Sequence, residues 1–318
     1  MIDASFVKAR AADLGFLGLG VAAADRPPHY DAYLNWIDAG NQGEMDYLER
    51  HTRLKVHPDR LLDGCRSVIA VSLSYSQPNP AATGQPRIAR YALGRDYHRV
   101  LRSKLRTLQG RLAEAYPHAR WRICVDSAPL MERDFAHMAG LGWFGKNTCL
   151  IDSKSGSWFV LGFLLSDLTI SPDQPAIGGC GTCQKCIDAC PTDAIAFRDG
   201  RWQVLASRCV SYLTIEHQGD ISEELKAGVG DWTFGCDICQ EVCPFNEPRP
   251  SQPLRARTTE EEAFLERRRW PSLMELAQIK EGDWDVLTRG SPVRRSGYAG
   301  LLRNAALNIQ NMGPETPK

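Results

Sequence analysis

The chain has 318 residues, 43% of them hydrophobic, so it is too long for one small module and can bury a substantial core. Lysine plus arginine and aspartate plus glutamate both number 38, which excludes an overall basic charge that would attract nucleic acid. We therefore expect roughly two or three domains, with any nucleic-acid partner bound by a local patch.

The first 25 residues, MIDASFVKARAADLGFLGLGVAAAD, carry Lys8, Arg10 and Asp13 inside an apolar pattern. These charges, and the lack of a small-residue cleavage site, favour an amphipathic helix over a secretory signal peptide. No run of about 18 uncharged apolar residues occurs elsewhere, which argues against a membrane span. We expect a soluble, cytoplasmic protein with no membrane contact.

The next part of the chain alternates strand and helix patterns. Residues 67–75 (SVIAVSLSY) and 157–165 (SWFVLGFLL) are β-rich and apolar, which indicates buried strands. Between them, helices are predicted over residues 98–116, where four leucines share one face, and over residues 128–139. The alternation predicts a layered α/β domain. No GxGxxG follows a strand and no GxxxxGK[ST] is present, so no short generic motif identifies a ligand for this domain.

Asp126 follows the strand-like segment WRICV and precedes a predicted helix, a place from which side chains often project into a site. The residues alone favour a helix N-cap at this position. Three glycines after the helix either cap it and turn the chain or let the backbone approach a large flat ligand: Gly140, Gly142 and Gly145.

Eleven cysteines are present, and eight of them lie between residues 180 and 243. Such clustering with CxxC spacing, in a chain without a secretory signal, points to metal binding and not to a disulfide framework. Two CxxC pairs could close a zinc site. However, residues 180–191 read CxxCxxCxxxCP, the bacterial ferredoxin pattern in which three cysteines hold one 4Fe-4S cluster and the fourth reaches a second.

A second run, CxxCxxxCP at residues 236–244, is one cysteine short of the first. The count closes if Cys209 supplies the missing thiolate. The predicted ligands of one cluster are Cys180, Cys183, Cys186 and Cys243, and those of the other are Cys190, Cys209, Cys236 and Cys239. The remaining cysteines stand alone in apolar sequence and are predicted to pack in the core: Cys65, Cys124 and Cys149.

The C-terminal part of the chain is locally rich in arginine, which suits contact with RNA phosphates. Neighbouring Glu260, Glu261 and Glu262 could instead neutralise this charge. The candidates are Arg267, Arg268, Arg269, Arg289, Arg294, Arg295 and Arg303.

Several of these stretches, in this order and spacing, resemble the epoxyqueuosine reductases, cobalamin-dependent iron–sulfur enzymes that complete queuosine on tRNA. The tail, RRSGYAGLLRNAALNIQNMG, is similar to the start of that family's HEAT-like helices. The other matching stretches are RYALGRDYH, VDSAPLMER, AGLGWFGKN, CGTCQKCIDACPTDAI, RCVSYLTIE and FGCDICQEVCPFN.

The resemblance implies an α+β or mixed fold in three parts. These are an α/β cobalamin-binding domain over residues 1–170, a ferredoxin-like domain with two 4Fe-4S clusters over 171–250, and a HEAT-like helical segment over 251–318 that faces tRNA. It implies reduction of an epoxide to an alkene at the anticodon wobble position, with cobalamin bound between the first two domains.

The family's proposed proton donor falls on Asp126, a role that needs a raised pKa, and Asp96 is a second candidate carboxylate. Each cofactor-contact candidate also has a plainer interpretation, as a solvated loop residue, a helix cap or a packing residue. The predicted cofactor contacts are Lys55, Asp126, Lys146, Asn147, Leu150, Ser211 and Thr214.

The resemblance further implies an external electron donor, such as a flavodoxin or a reduced flavin system, and we expect a monomer. Two other functions remain open at this point. A corrinoid reductive dehalogenase would share the cofactors, but its relatives usually carry a twin-arginine export signal that this sequence lacks. A non-catalytic electron carrier would not need the long upstream domain.

Overall fold

The computed structural model describes residues 2–80, 82–253, 255 and 257–312. Its strands are β1 (Gly18–Ala23), β2 (Ser67–Ser74), β3 (Arg87–Ile88), β4 (Trp121–Cys124), β5 (Trp143–Phe144), β6 (Leu150–Ile151), β7 (Phe159–Ser166), β8 (Ile195–Arg198), β9 (Arg201–Val204) and β10 (Trp232–Phe234).

The helices are mostly short, apart from one in the first half of the chain and one at its end. They are α1 (Ala4–Ala11), α2 (Tyr30–Asp38), α3 (Asp46–Arg50), α4 (Thr52–Lys55), α5 (Tyr97–Ala115), α6 (Glu132–Met138), α7 (Lys185–Asp188), α8 (Val210–Ile215), α9 (Glu223–Val229), α10 (Ile238–Glu241), α11 (Glu262–Leu265), α12 (Leu273–Leu276), α13 (Glu281–Thr288) and α14 (Gly297–Met312). Within the described ranges, none of these helices has both the length and the apolar character that crossing a membrane would require.

The central sheet has the strand order β1-β2-β7-β4, and every neighbouring pair is antiparallel. The fold is therefore mixed α+β, and the parallel arrangement typical of an α/β domain is absent from this sheet. The single helix expected over the first 25 residues is wrong: α1 ends at Ala11 and β1 begins at Gly18. Glycines weaken a helix in this stretch, and pairing with β2 buries Val21 completely.

Apolar side chains cover both faces of the sheet. On one face, α5 packs through Leu101, Leu105, Leu108 and Leu112, as the leucine spacing predicts. The other face packs against α6, whose Phe135 and Ala136 are fully buried. Both Cys65 and Cys124 lie in this second core, so their predicted packing role is confirmed.

The cysteine-rich region and the C-terminal helices pack together beside the sheet domain. Strand β10 pairs in parallel with β3, which joins the cysteine-rich region to the first part of the chain. In α14, the buried Asn304 amide donates hydrogen bonds to the carbonyl oxygens of Thr214 and Thr233. Arg303 also serves this packing, because its guanidinium donates to backbone carbonyls that include Leu213 and Gly219. Its guanidinium is committed to this packing, and its predicted contact with RNA stays a prediction.

Candidate functional site

Four of the predicted iron ligands surround one small cavity of about 40 Å³. Cys180, Cys183 and Cys186 come from the first cysteine run, and Cys243 comes from the second. Burial and the neighbouring thiols raise the pKa of Cys186 to about 11. Thiolates crowded in this way repel one another unless a cation lies between them. Four cysteine thiolates are also the ligand set of a 4Fe-4S cluster.

The other four predicted ligands form a second group that is more deeply buried. The pKa of Cys236 is raised by burial and, further, by the nearby Cys209 and Cys190 thiols. The pKa of Cys239 is raised by Cys149, by burial and, less strongly, by Cys236 and Cys209. Cys209 caps the N-terminus of α8, where the backbone N–H groups of Ser211 and Tyr212 face its sulfur. The structure places these cysteines near one another, and their roles as iron ligands stay predictions.

The four thiols of the first group line the walls of the 40 Å³ cavity. Among the residues that the structure describes, no three His, Cys, Asp or Glu side chains are grouped as the ligands of one metal ion would be. The 40 Å³ cavity and its four cysteines fit a body larger than a single ion, in line with an iron–sulfur cluster.

Asp126 follows β4 and has a left-handed backbone conformation, with φ of +51°. Non-glycine residues rarely adopt this conformation, so it must be held by neighbouring groups. The Glu132 carboxylate provides one such contact, because it accepts the backbone N–H of Asp126 at 2.6 Å. Asp126 therefore is not a helix N-cap, since α6 begins only at Glu132, and its side chain is free to project into a cavity.

His98 joins the two predicted catalytic carboxylates. Its Nδ1 lies 2.6 Å from Oδ1 of Asp96, and its Nε2 lies 3.0 Å from Oδ2 of Asp126. A histidine that donates to a carboxylate from both ring nitrogens carries a positive charge. Burial lowers the pKa of His98, but the hydrogen bonds and negative charges of the two aspartates outweigh it and raise the pKa to about 9.

The raised pKa expected for Asp126 is wrong in this structure. Burial raises the pKa of Asp126, but the hydrogen bond and positive charge of His98 hold it below the ordinary value. Burial and the neighbouring Asp126 charge raise the pKa of Glu132 to about 8.

Asp126 lies where two cavities meet, and a third adjoins them. A cavity of about 230 Å³ has Asp126 and Glu132 on one wall and Cys149 and Tyr75 on another. The adjoining cavity, of about 460 Å³, shares Asp126 and Glu132 and is lined by aromatic residues that include Trp36 and Trp202. Through Trp202 and its neighbours it continues into a cavity of about 370 Å³ that ends at Cys180. Together they form a groove between the sheet domain and the cysteine-rich region.

Cys149 is not a packing residue, contrary to the sequence prediction. Its side chain lies beside that of Cys239, a predicted ligand of the second cluster, and it lines the 230 Å³ cavity. Cys149 therefore connects the second group of cysteines with the cavity that holds Asp126.

Several predicted cofactor contacts lie along the groove. Lys55 lines the largest of the three cavities, where burial lowers its pKa, and Leu150 is buried at the edge of the smallest. Lys146 lines the third cavity, and its backbone N–H donates to the sulfur of Cys180. Asn147 lines the cavity of the first cysteine group, and its amide donates to the carbonyl of Cys239, so it lies between the two groups.

Two predicted contacts are placed elsewhere. The Thr214 side chain is fully buried in α8, where its hydroxyl donates to the carbonyl of Val210 and accepts the N–H of Gly235. Ser211, in the first turn of α8, lines none of the three cavities of the groove. Neither residue is placed to contact a ligand in the groove. The glycines at 142 and 145 likewise serve packing, because a Cβ at either position would meet Ile151.

Two clusters of cysteines beside an α+β domain, with a histidine–carboxylate chain at a shared cavity, define a double-cluster iron–sulfur oxidoreductase. The comparisons with known proteins agree. A family model described as "4Fe-4S double cluster binding domain" matches residues 179–246, and one described as "Epoxyqueuosine reductase QueG, DUF1730" matches residues 55–127.

Similar proteins give the family. The epoxyqueuosine reductase of Vibrio cholerae is 38% identical, across 99% of this chain and 85% of its own length, and that of Escherichia coli is 40% identical, across 96% and 80%. The structure of the enzyme from Streptococcus thermophilus matches with a TM-score of 0.81 and 27% identity, over 98% of this chain and 82% of that one. Another, solved with an epoxyqueuosine-modified tRNA-Tyr stem loop, matches with a TM-score of 0.80 and 28% identity, over 96% and 80%. The chain belongs to the epoxyqueuosine reductase family.

Proposed function

We propose that this protein reduces the epoxide of epoxyqueuosine in tRNA to the alkene of queuosine. The reaction consumes two electrons and two protons and releases the epoxide oxygen as water. A protein that catalyses it must deliver both electrons and protons to one place, and must leave room there for a base of the RNA.

The 230 Å³ cavity is the observation that carries this proposal. Cys149, in contact with the cluster ligand Cys239, lies on one wall, and Asp126, in contact with His98, lies on another. Electrons that leave the second cluster and protons that leave the carboxylate would therefore reach the same space. Neither a plain electron carrier nor a structural zinc protein needs such a convergence.

We assign the groove to cobalamin, which the family resemblance implies. The adjoining cavities supply a long, partly aromatic space, and the buried side-chain oxygen of Gln203, on the wall of the largest one, has no hydrogen-bond partner among the described residues. The carboxamide groups around a corrin ring could donate to that oxygen and to others along the groove. When bound, cobalamin would supply a reducible cobalt for the difficult bond breaking. The chain's residues would bind and orient the ring, with Lys55, Lys146 and Leu150 as the proposed contacts.

Asp126 is the proposed proton donor to the departing oxygen, with His98 behind it. At neutral pH the stored proton resides on the imidazolium, because His98 has a pKa of about 9 and Asp126 has a lowered one. Charge developing on the epoxide oxygen would draw a proton from Asp126 as His98 passes its own to the carboxylate. Asp96, on the other ring nitrogen, would hold the imidazole in place and stabilise its positive charge.

The two clusters would carry electrons inward. The loop at residues 179–182, around Cys180, is largely exposed, whereas the second group of cysteines lies deeper and adjoins the cavity. We therefore propose that an external donor, such as a flavodoxin or a reduced flavin system, delivers electrons at the first cluster. We further propose the three segments 1–170, 171–250 and 251–318 as the domains, and a monomer as the working unit.

The test is anaerobic reconstitution with iron, sulfide and cobalamin, followed by mass analysis of nucleosides from epoxyqueuosine-containing tRNA after reductant is added. Asp126→Asn should slow turnover by at least about 100-fold and leave the cofactor spectra intact. Asp13→Asn is the matched control, since Asp13 is an exposed carboxylate paired with Arg111 and lines none of the cavities of the groove.

Several results would contradict the proposal. Zinc in place of inorganic sulfide would remove the clusters, and failure to bind a corrinoid would leave a plain electron carrier. Turnover of halogenated compounds without turnover of the RNA would favour a dehalogenase. Undiminished activity of Asp126→Asn would remove that residue from its proposed role.

A further inference from the structure

A second large cavity, of about 750 Å³, adjoins the histidine–carboxylate chain. Asp96, which holds Nδ1 of His98, forms part of its wall. The other walls come from the first two turns of α5, from the segment around α11, and from the loop after α13. Residues far apart in the sequence thus build one space next to the proposed proton donor.

The walls of this cavity are strongly cationic. Six basic side chains line it, against the three carboxylates of Asp96, Glu261 and Glu266. We call it the basic pocket and define it by Arg95, Arg99, Lys104, Arg267, Arg268 and Arg289.

Three of the six cations are already paired with carboxylates. Arg95 pairs with Glu266, Lys104 with Glu261, and Arg289 with Asp285. These pairs account for half of the positive charge, and they hold the walls in position.

The other three have no carboxylate within 4 Å in the described part of the chain. Arg267 donates to the side chain of Gln77 and the carbonyl of Pro78, and Arg268 donates to the carbonyls of Leu287 and Arg289. Carbonyl groups fix the position of a guanidinium without cancelling its charge. Arg99 is exposed on α5, one turn after Asp96. Three uncompensated guanidinium groups around one cavity are suited to an anion with several oxygen acceptors, such as a phosphodiester.

We propose that the basic pocket binds backbone phosphates of the RNA whose base is reduced at Asp126. This inference rests on the proposed function, which supplies the RNA. The reduced base and the neighbouring phosphates belong to one RNA strand. Asp96 belongs both to the wall of the basic pocket and to the histidine–carboxylate chain, so an RNA strand whose base lies at Asp126 must pass close to the pocket. Binding there would fix the register of the strand, while the groove determines the chemistry.

The variant that tests this is Arg99→Gln, because it removes an exposed charge that has no carboxylate within 4 Å among the described residues. Arg106→Gln is the matched control: Arg106 is exposed on the same helix, two turns further along, and does not line the pocket. Binding of an anticodon stem-loop RNA is measured by fluorescence anisotropy on the full-length, cluster-containing protein between about 50 and 300 mM salt.

Arg99→Gln should weaken RNA binding by about fivefold at 100 mM salt and should lower the slope of log affinity against log salt by about 0.7 to 0.9. Arg99→Lys should restore most of the affinity, and Arg106→Gln should match the unmodified protein. In turnover, Arg99→Gln should raise KM for the RNA and leave kcat and the cluster spectra unchanged.

Equal affinities and salt slopes for Arg99→Gln and Arg106→Gln would overturn the proposal. It would also be overturned if inorganic phosphate stabilised the protein through Arg99 while RNA binding ignored the substitution, since the pocket would then hold a free anion. Because the binding assay needs no turnover, an inactive protein that still binds RNA through Arg99 would refute the proposed function and leave this inference standing.

Discussion

The pKa of His98 offers a direct test of the carboxylate–histidine–carboxylate chain. Histidine has an ordinary pKa of about 6.5, and in this structure the value is raised to about 9. A difference of about 2.5 corresponds to about 3.4 kcal/mol of preference for the charged imidazole. The side chain is only 24% exposed, so solvent screens the interaction incompletely.

Asp126→Asn removes one of the two negative charges that produce this preference. Burial of His98 opposes the charged form, so the two aspartates together must supply more than the net difference. If Asp126 supplies about half, the pKa of His98 should fall by at least about 1.25, which is about 1.7 kcal/mol. Asp96→Asn should produce a fall of similar size.

The assay is a pH titration by NMR of protein labelled at histidine ring carbons, with the His98 signal assigned by its loss in His98→Gln. A value near 6.5 in the unmodified protein would refute the reasoning, because the observed contacts would then not exist in solution. So would an unchanged value in Asp126→Asn. His118, in the loop after α5, provides a reference signal that neither substitution should move.

The same difference predicts how stability depends on pH. The pKa of His98 is higher in the folded state than in the unfolded chain, so its contribution is fully present below pH 6.5 and is lost as the pH rises through about 9. The free energy of unfolding should therefore decline between these values in the unmodified protein. The decline should be smaller in His98→Gln, as measured by anaerobic urea denaturation at a series of pH values.

Three further predictions concern other parts of the molecule. Glu132→Ala should reduce turnover by about tenfold or more, because the backbone N–H of Asp126, held in a left-handed conformation, loses its hydrogen-bond acceptor. Glu132→Gln keeps an acceptor oxygen and should turn over at close to the normal rate. Equal loss of turnover in both variants would show that the acid itself is required. Cys209→Ala should lower the iron content from about eight to about four atoms per chain, with Cys65→Ala unchanged, and full iron content in Cys209→Ala would exclude it as a ligand. Gly20→Ala should destabilise the protein by about 2 kcal/mol or more, because the added Cβ would lie 1.9 Å from the carbonyl oxygen of Ala139. Gly110→Ala, at an open position inside α5, should stabilise the protein slightly. Thermal unfolding of both variants tests the two expectations.

The features that the sequence predicts well are those encoded over short distances. The leucines of α5 repeat at helical spacing, and all four are buried. Strands β2 and β7 were predicted from continuous apolar runs because both faces of the sheet are covered. The double-cluster domain follows from the cysteine spacing, and the assignment of Cys209, which lies outside both runs, rests on counting and stays a prediction.

The features that escape prediction depend on contacts between distant segments. The sequence predicts no catalytic role for His98, because only the packing of α5 beside β4 brings this residue to Asp126, 28 residues away. Glu132 resembles an ordinary first-turn acid of a helix, and its contact with Asp126 depends on a backbone conformation that no local pattern announces. Thr214 was expected to face a ligand because it follows Cys209, yet the helix turns its hydroxyl toward Gly235.

The proposed electron and proton routes reach the 230 Å³ cavity from different elements of the fold. The cysteines and Cys149 belong to the segments around residues 149 and 180–243, whereas Asp96, His98 and Asp126 belong to the start of α5 and the end of β4. No residue of the histidine–carboxylate chain contacts a cysteine ligand in the described structure. A substitution at His98 or Asp126 should therefore alter proton delivery without changing the cluster spectra, and a cysteine substitution should do the reverse. The two processes can be separated by mutation because the fold keeps them apart until they meet at the substrate.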